Sequence, residues 1–176
     1  MRFILAAMAM VVLASPATAQ HHRQHQHQHA PTPYAGQQQR DIKAMSDQQI
    51  ADLRQGRGMG LALAAELNGY PGPMHVLELK DQLHLTADQH KRFQALFESM
   101  KAEAIEAGEA LIASERALDR GFAEGRMTPD MLGGLTARIG EAQGRLRAVH
   151  LKYHLTSAEL LSDHQRQRYA DLRGYR

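Results

Sequence analysis

Two stretches of this chain place apolar or small residues at alternating four- and three-residue intervals, and no other feature constrains the fold as much. Phe93, Phe97, Met100, Ala104, Ala107, Leu111, Ser114 and Leu118 follow one another in heptad register. Leu132, Leu135, Ile139, Ala142, Leu146, Val149, Tyr153, Thr156 and Leu160 do the same. Such a period draws one seam along a helix; a strand alternates every two residues and would scatter these side chains over both faces. Aromatic residues are scarce and Trp is absent, while Ala, Leu, Glu, Gln, Arg and Met abound, which favours helix over sheet. Two seams joined by a short connection predict an all-α chain built on a long antiparallel helical hairpin, with arms of roughly 50 Å.

Helix punctuation agrees with the seams. In Leu85-Thr86-Ala87-Asp88-Gln89 the Thr86 hydroxyl is placed to accept from the Gln89 N–H while the Gln89 side chain accepts from the Thr86 N–H, a capping box. Asp88 adds negative charge at the positive end of the helix dipole. Gly125 closes this first arm, and Thr128 with Pro129 opens the second. Leu161-Ser162-Asp163-His164-Gln165 is a second box, opening a terminal helix through Tyr169 and Leu172 that stops at Gly174. Short flanking helices are expected upstream. One is capped by Ser46 and runs through Ile50 and Leu53; the glycines from Gly56 to Gly60 weaken it; a second covers Leu61 to Leu67; a third opens at Pro73 and stops near His84.

The start of the chain reads as an address. Arg2, the apolar run Phe3 to Leu13 and Ala17-Thr18-Ala19 form the three parts of a secretory signal peptide over residues 1–19, cleaved before Gln20. Residues 20–40, rich in His and Gln, have almost nothing apolar to bury and are expected to be disordered. Residues 41–176 are left as one all-helical domain. The chain has no cysteine, which excludes a disulfide framework, thiol redox chemistry and thiolate metal sites. Its formal net charge of +2 makes no case for nucleic acid, and no segment after the signal is apolar enough to span a membrane.

Residues Leu85, Thr86 and Gln89, repeated as Leu161, Ser162 and Gln165, resemble the paired L-T-x-x-Q motifs of the Spy/CpxP family; Ser162 keeps the capping hydroxyl of the usual Thr. The resemblance covers roughly residues 73–175. It implies a small periplasmic protein of a Gram-negative bacterium, dimerising into a curved cradle. Members of that family include ATP-independent chaperones, an inhibitory partner of an envelope-stress sensor kinase, and relatives that bind or sense heavy metals.

Several residues are candidates for chemistry. His150 and His154 stand four apart on a helix, the spacing that lets two imidazoles hold one metal ion. In heptad terms His150 flanks the seam and His154 points further out; the competing reading is a surface or interhelical pair bonded to Glu103 or another acid of the first arm. His75, Glu78 and Met74 are candidates to complete a ligand set, as metal-sensing relatives draw ligands from their first helices. His21, His22, His25, His27 and His29 are candidates to collect Zn, Cu or Ni weakly. Met59, Met74, Met100, Met127 and Met131 fit core packing, soft-metal binding or an adaptable client surface. Acids along the first arm (Glu98, Glu103, Glu106, Glu109, Glu115, Glu124) face bases on the second (Arg138, Arg145, Arg147, Lys152), a pattern suited to pairing between arms.

No phosphate loop, cysteine nucleophile or His-Glu-x-x-His is present. The expected function is therefore non-enzymatic: a periplasmic chaperone or envelope-stress adaptor that needs no cofactor, acts as a homodimer, and binds unfolded clients or a sensor kinase. The alternative is a periplasmic sensor or buffer for Zn, Cu or Ni using the histidines.

Overall fold

The computed structural model describes residues 32–175. Contacts divide the chain into Met1–Pro33 and Tyr34–Arg176. The expected signal peptide over residues 1–19 and the five tail histidines, His21 to His29, lie outside the described residues. Within the second unit all regular structure is helical. A one-turn 3₁₀ helix, Gln37–Gln39, is followed by α1 (Asp47–Arg54), α2 (Leu63–Glu66), α3 (Pro73–Glu78), α4 (Ala87–Ala123), α5 (Pro129–Leu160) and α6 (Asp163–Arg173). No helix among the described residues is long and apolar enough to cross a membrane.

The punctuation residues act as their chemistry dictates. Thr86 Oγ1 accepts from Gln89 N and Gln89 Oε1 from Thr86 N, both at 3.1 Å. Ser162 and Gln165 repeat the exchange at 3.2 and 3.0 Å. Ser46 and Gln49 form a third box at the head of α1. Thr128 accepts from Met131 N, with Pro129 at the first helical position. Gly174 ends α6 in the left-handed conformation, φ 71°, where a Cβ would be strained.

Two boundaries differ from expectation. Ahead of α1, Arg40 donates to Gln37 Oε1 across the 3₁₀ turn and Ile42 is wholly buried just after it. The second helix shrinks from Leu61–Leu67 to four residues, since Gly60 turns left-handed at φ 77° directly ahead of it. The third ends at Glu78, six residues short of His84. Residues 79–84 wind as turns and His84 adopts φ 49°, a route that leaves Leu83 buried against Phe93.

Two cores hold the helices. The larger joins Ile42, Ile50 and Leu53 to Met100, Ala104, Ala107, Leu111 and Ile112 of α4 and to Ile139, Ala142, Leu146, Val149 and Tyr153 of α5. The smaller gathers Val76, Leu83, Phe93, Leu161 and Tyr169. Both seams are thus buried along their middles, while Leu132 and Thr156 remain exposed. α1 lies close on α4 because position 108 is glycine: a Cβ there would sit 2.9 Å from the Leu53 carbonyl oxygen. Arg145 pairs with Glu106 at 2.9 Å and Lys152 with Glu103, so residue numbers fall along α5 as they rise along α4. α4 also pairs with the N-terminal segment, its acids Glu109 and Asp119 taking Arg54 and Lys43 and its Arg116 taking Asp41. These pairs are largely solvated and orient the helices more than they stabilise them.

Candidate functional site

The two motif glutamines do more than cap. Gln89 Nε2 donates to Gln165 Oε1 at 2.9 Å, and Gln165 Nε2 returns a bond to Gln89 Oε1 at 3.1 Å. The remaining hydrogens go to backbone, Gln89 to the Leu160 carbonyl and Gln165 to the Leu83 carbonyl. Each amide therefore uses both N–H groups, and each Oε1 accepts from its own cap and from its partner. The repeat ties the heads of α4 and α6 together, with the end of α5 and the turn before α4 clamped between them. Leu161 is buried and Leu85 half-buried in the smaller core beneath this clasp. These residues tie the ends of three helices to one another.

The chemistry concentrates around a residue the sequence reading passed over. Glu66, the last residue of α2, is buried with only 5% of its surface exposed. Its Oε1 accepts from the Tyr169 hydroxyl, from His75 Nδ1 at 3.2 Å and from the Tyr175 hydroxyl at 3.2 Å; Oε2 accepts from the Gly72 N–H at 3.0 Å. Arg173 Nε lies 3.9 Å from Oε1, and His154 Nδ1 lies 3.6 Å from Oε2. Burial pushes the carboxyl up, but the hydrogen bonds from His75, Tyr169 and Gly72 outweigh it and hold Glu66 at about 2. The same environment, burial first and the Glu66 carboxylate second, pushes the Tyr169 hydroxyl up. Ionised and bonded through both oxygens, Glu66 is a poor base; it is an anchor joining α2 to α3, α5 and α6. A signal for it does exist in the sequence. Between Arg57 and Glu78 it is the only Asp, Glu, Lys or Arg in an apolar, glycine-rich stretch, and a lone acid in such a setting needs partners.

His154 faces inward, contrary to the heptad expectation. It is 8% exposed, and its Nδ1 donates to the Tyr70 carbonyl at 2.7 Å. The connection from α2 to α3 lies over this part of α5 and brings both Tyr70 and Glu66 to it. Close packing requires Gly72, whose Cβ would fall 2.9 Å from His154 Cε1 and 3.0 Å from Nε2. His150, one turn earlier, is 2% exposed and its Nε2 has no hydrogen-bond partner in the protein. Burial and the neighbouring His154 both lower its pKa, favouring the neutral ring. Neither histidine bonds Glu103, which takes Lys152 and the Tyr153 hydroxyl instead. That pairing, after burial, pushes Tyr153 up to about 12.

Between α4, α5 and residues 55–75 lies a cavity of about 630 Å³. His150, His154, His75 and Glu66 line it together with Met59, Met74, Met100, Phe97 and Leu63. The sequence candidates thus separate. His75 and Met74 join His150 and His154, whereas Glu78 is exposed and away from the cavity; Met127 packs on Gly121 and Met131 is exposed. Among the described residues no group of three or more His, Cys, Asp or Glu is placed to hold a metal ion. His154 thus holds its ring between the Tyr70 carbonyl, bonded to Nδ1, and the Gly72 backbone, against which Cε1 and Nε2 pack. No protein-family model, curated protein or solved structure matches the chain.

Proposed function

We propose that this chain is an exported, non-enzymatic binding protein of the Spy/CpxP kind. It captures partly unfolded protein clients in the periplasm and releases them without ATP. In this reading α4 and α5 form a helical hairpin that serves as a beam, and the α1–α3 segment laid across it forms one side of a cradle, completed by a second copy. One observation carries the reading. Residues 59–74 expose five large apolar side chains in succession: Met59, Leu63, Leu67, Tyr70 and Met74, each between 41 and 58% exposed. Glu66 anchors that segment from beneath while its apolar tips stay in solvent, where ordinary folding would bury them. Exposed Leu, Met and Tyr gathered in one short segment suit loose contact with many sequences, and methionine in particular adapts its shape to what it touches. Charged side chains around the rim speed capture. A regulatory partner such as a sensor kinase would use the same surface.

The test is suppression of aggregation of a chemically denatured or reduced client, followed by light scattering, with the chain beginning at Gln20. Suppression at near-stoichiometric ratio is expected. The triple variant Leu63→Ser/Leu67→Ser/Met74→Ser should lose most of it with its helical circular dichroism unchanged, because all three side chains are already in solvent. Undiminished aggregation at several-fold excess of the intact chain would refute the reading.

A further inference from the structure

We propose that Met59 and Met74 form a redox modification site: a hypohalous acid oxidises their thioethers to sulfoxides, and the modified surface no longer holds clients. The inference adds a means of regulation to the client-binding reading and rests on it. Three observations lead here. The first is the sulfur inventory. The chain has no cysteine, so a two-electron oxidant finds only thioethers. Exposure separates them: among the described residues Met59, Met74 and Met131 are 43, 44 and 41% exposed, whereas Met45 and Met100 are each 7% exposed. The second is placement. Met59 and Met74 stand at the two ends of the exposed apolar row that includes Leu63, Leu67 and Tyr70, and both line the cavity that also contains the buried Met100. Met131, in the first turn of α5, belongs to neither. The third is the backbone. Met59 adopts φ 43° between Gly58 and Gly60. That left-handed conformation is unfavourable for a residue with a Cβ, and a glycine would relieve it, so the chain holds this thioether in solvent against a local conformational cost.

The oxidation needs nothing but the oxidant and water. The sulfur lone pair attacks the chlorine of hypochlorous acid and hydroxide leaves. Water then adds to the chlorosulfonium sulfur as chloride departs and two protons are released. The thioether loses two electrons, chlorine is reduced to chloride, and the new S–O bond takes its oxygen from water. A sulfoxide is polar where the thioether was apolar and adaptable. Two of the five side chains in the row thus lose their apolar tips, while the buried Met45 and Met100 keep theirs and the core is untouched. Methionine sulfoxide reductases, one for each sulfoxide epimer, reverse the change.

The experiment treats the chain with hypochlorous acid in small steps, quenches with free methionine and scores each methionine by peptide mass mapping. Met59 and Met74 should oxidise at least about sixfold faster than Met45 and Met100, in the ratio of their exposures. With both sulfoxides in place, suppression of client aggregation should need roughly tenfold more chain, the worth of about half a buried methionine side chain. The two reductases should restore it. Met59→Leu/Met74→Leu should suppress aggregation like the parent and go on doing so after treatment, whereas Met131→Leu should lose suppression on oxidation as the parent does. Helical circular dichroism should not move in any sample; a fall on oxidation would mean unfolding and would overturn the proposal. So would sulfoxide forming at Met45 or Met100 as fast as at Met59 and Met74, or a loss that persists in Met59→Leu/Met74→Leu. An untreated chain that suppresses nothing rejects the client-binding reading itself, and suppression equal before and after oxidation rejects the modification site alone.

Discussion

Replacing Glu66 by Gln keeps the shape of the side chain and removes its charge, which isolates what the anchor contributes. The carboxyl falls from its usual 4.5 to about 2 in the folded chain. That difference corresponds to about 3 kcal/mol of stability at pH 7. The folded-state value is the lower one, so the stabilisation is complete above the unfolded value near 4.5 and is lost as pH falls towards 2; at pH 3 about 1.4 kcal/mol remains. An amide cannot mimic the carboxylate here. With its oxygen kept at the Tyr169, Tyr175 and His75 side, its NH₂ confronts the Gly72 N–H, donor against donor. Turned round, it withdraws the acceptor from His75 and forces the tyrosines to reverse. Urea unfolding followed by far-ultraviolet circular dichroism, on the parent and Glu66→Gln at pH 7 and pH 3, measures the gap. It should be about 3 kcal/mol at pH 7 and shrink by roughly half at pH 3. A gap below about 1 kcal/mol at pH 7, or one equal at both pH values, would show that the buried carboxylate is not the anchor described.

Other consequences are equally open to measurement. Gly140 and Gly144 lie inside α5 with nothing within 4 Å of an added Cβ, so each change to Ala should raise stability by about 0.5–1 kcal/mol in thermal melts. A fall instead, accompanied by loss of dimer in light scattering, would place a second copy on that face. Gly108→Ala should cost about 1–3 kcal/mol in urea unfolding, since its Cβ would meet the Leu53 carbonyl oxygen at 2.9 Å. Gln89→Ala and Gln165→Ala, combined in a double-mutant cycle, should show coupling of about 0.5–3 kcal/mol; strictly additive losses would contradict the reciprocal amide clasp. Zn²⁺ calorimetry should find weak, multi-site binding that disappears when residues 20–31 are removed. Submicromolar binding that survives that removal and is lost in His150→Ala/His154→Ala would move the function to metal capture.

The helices themselves were legible because their causes are local. A hydroxyl three residues ahead of a glutamine, a proline just inside a start and a glycine just past an end act within one turn, and Ser46, Thr86, Thr128, Ser162 and Gly174 all behave as their positions dictate. The middle of each seam was readable for the same reason, since a heptad period needs only the helix to define a face. Misplaced boundaries cluster where backbone conformation is decided by more distant partners. Apolar periodicity carries the third helix on to His84, yet the chain leaves the helix after Glu78 and the small core takes Leu83 from a turn. Nothing in residues 79–84 alone distinguishes those two ways of burying the same leucine.

The candidate site shows the same division more sharply. The spacing of His150 and His154 says correctly that they share a side of α5 but not what that side faces. The heptad turns His154 further from the seam than His150, because it registers only the contact of α5 with α4. The α2–α3 connection is a second neighbour, and its glycine at position 72 admits the His154 ring at a distance no other residue would allow. Glu66 stands 88 residues before His154 and 103 before Tyr169, so no window along the chain contains its partners. What the sequence does hold is the need for them: an acid alone among Leu, Ala and Gly is either a solvated face or a buried charge with donors gathered round it. Weighing those two alternatives at every isolated charge in an apolar run, before any motif is sought, is the step that would have led from the residues to this site.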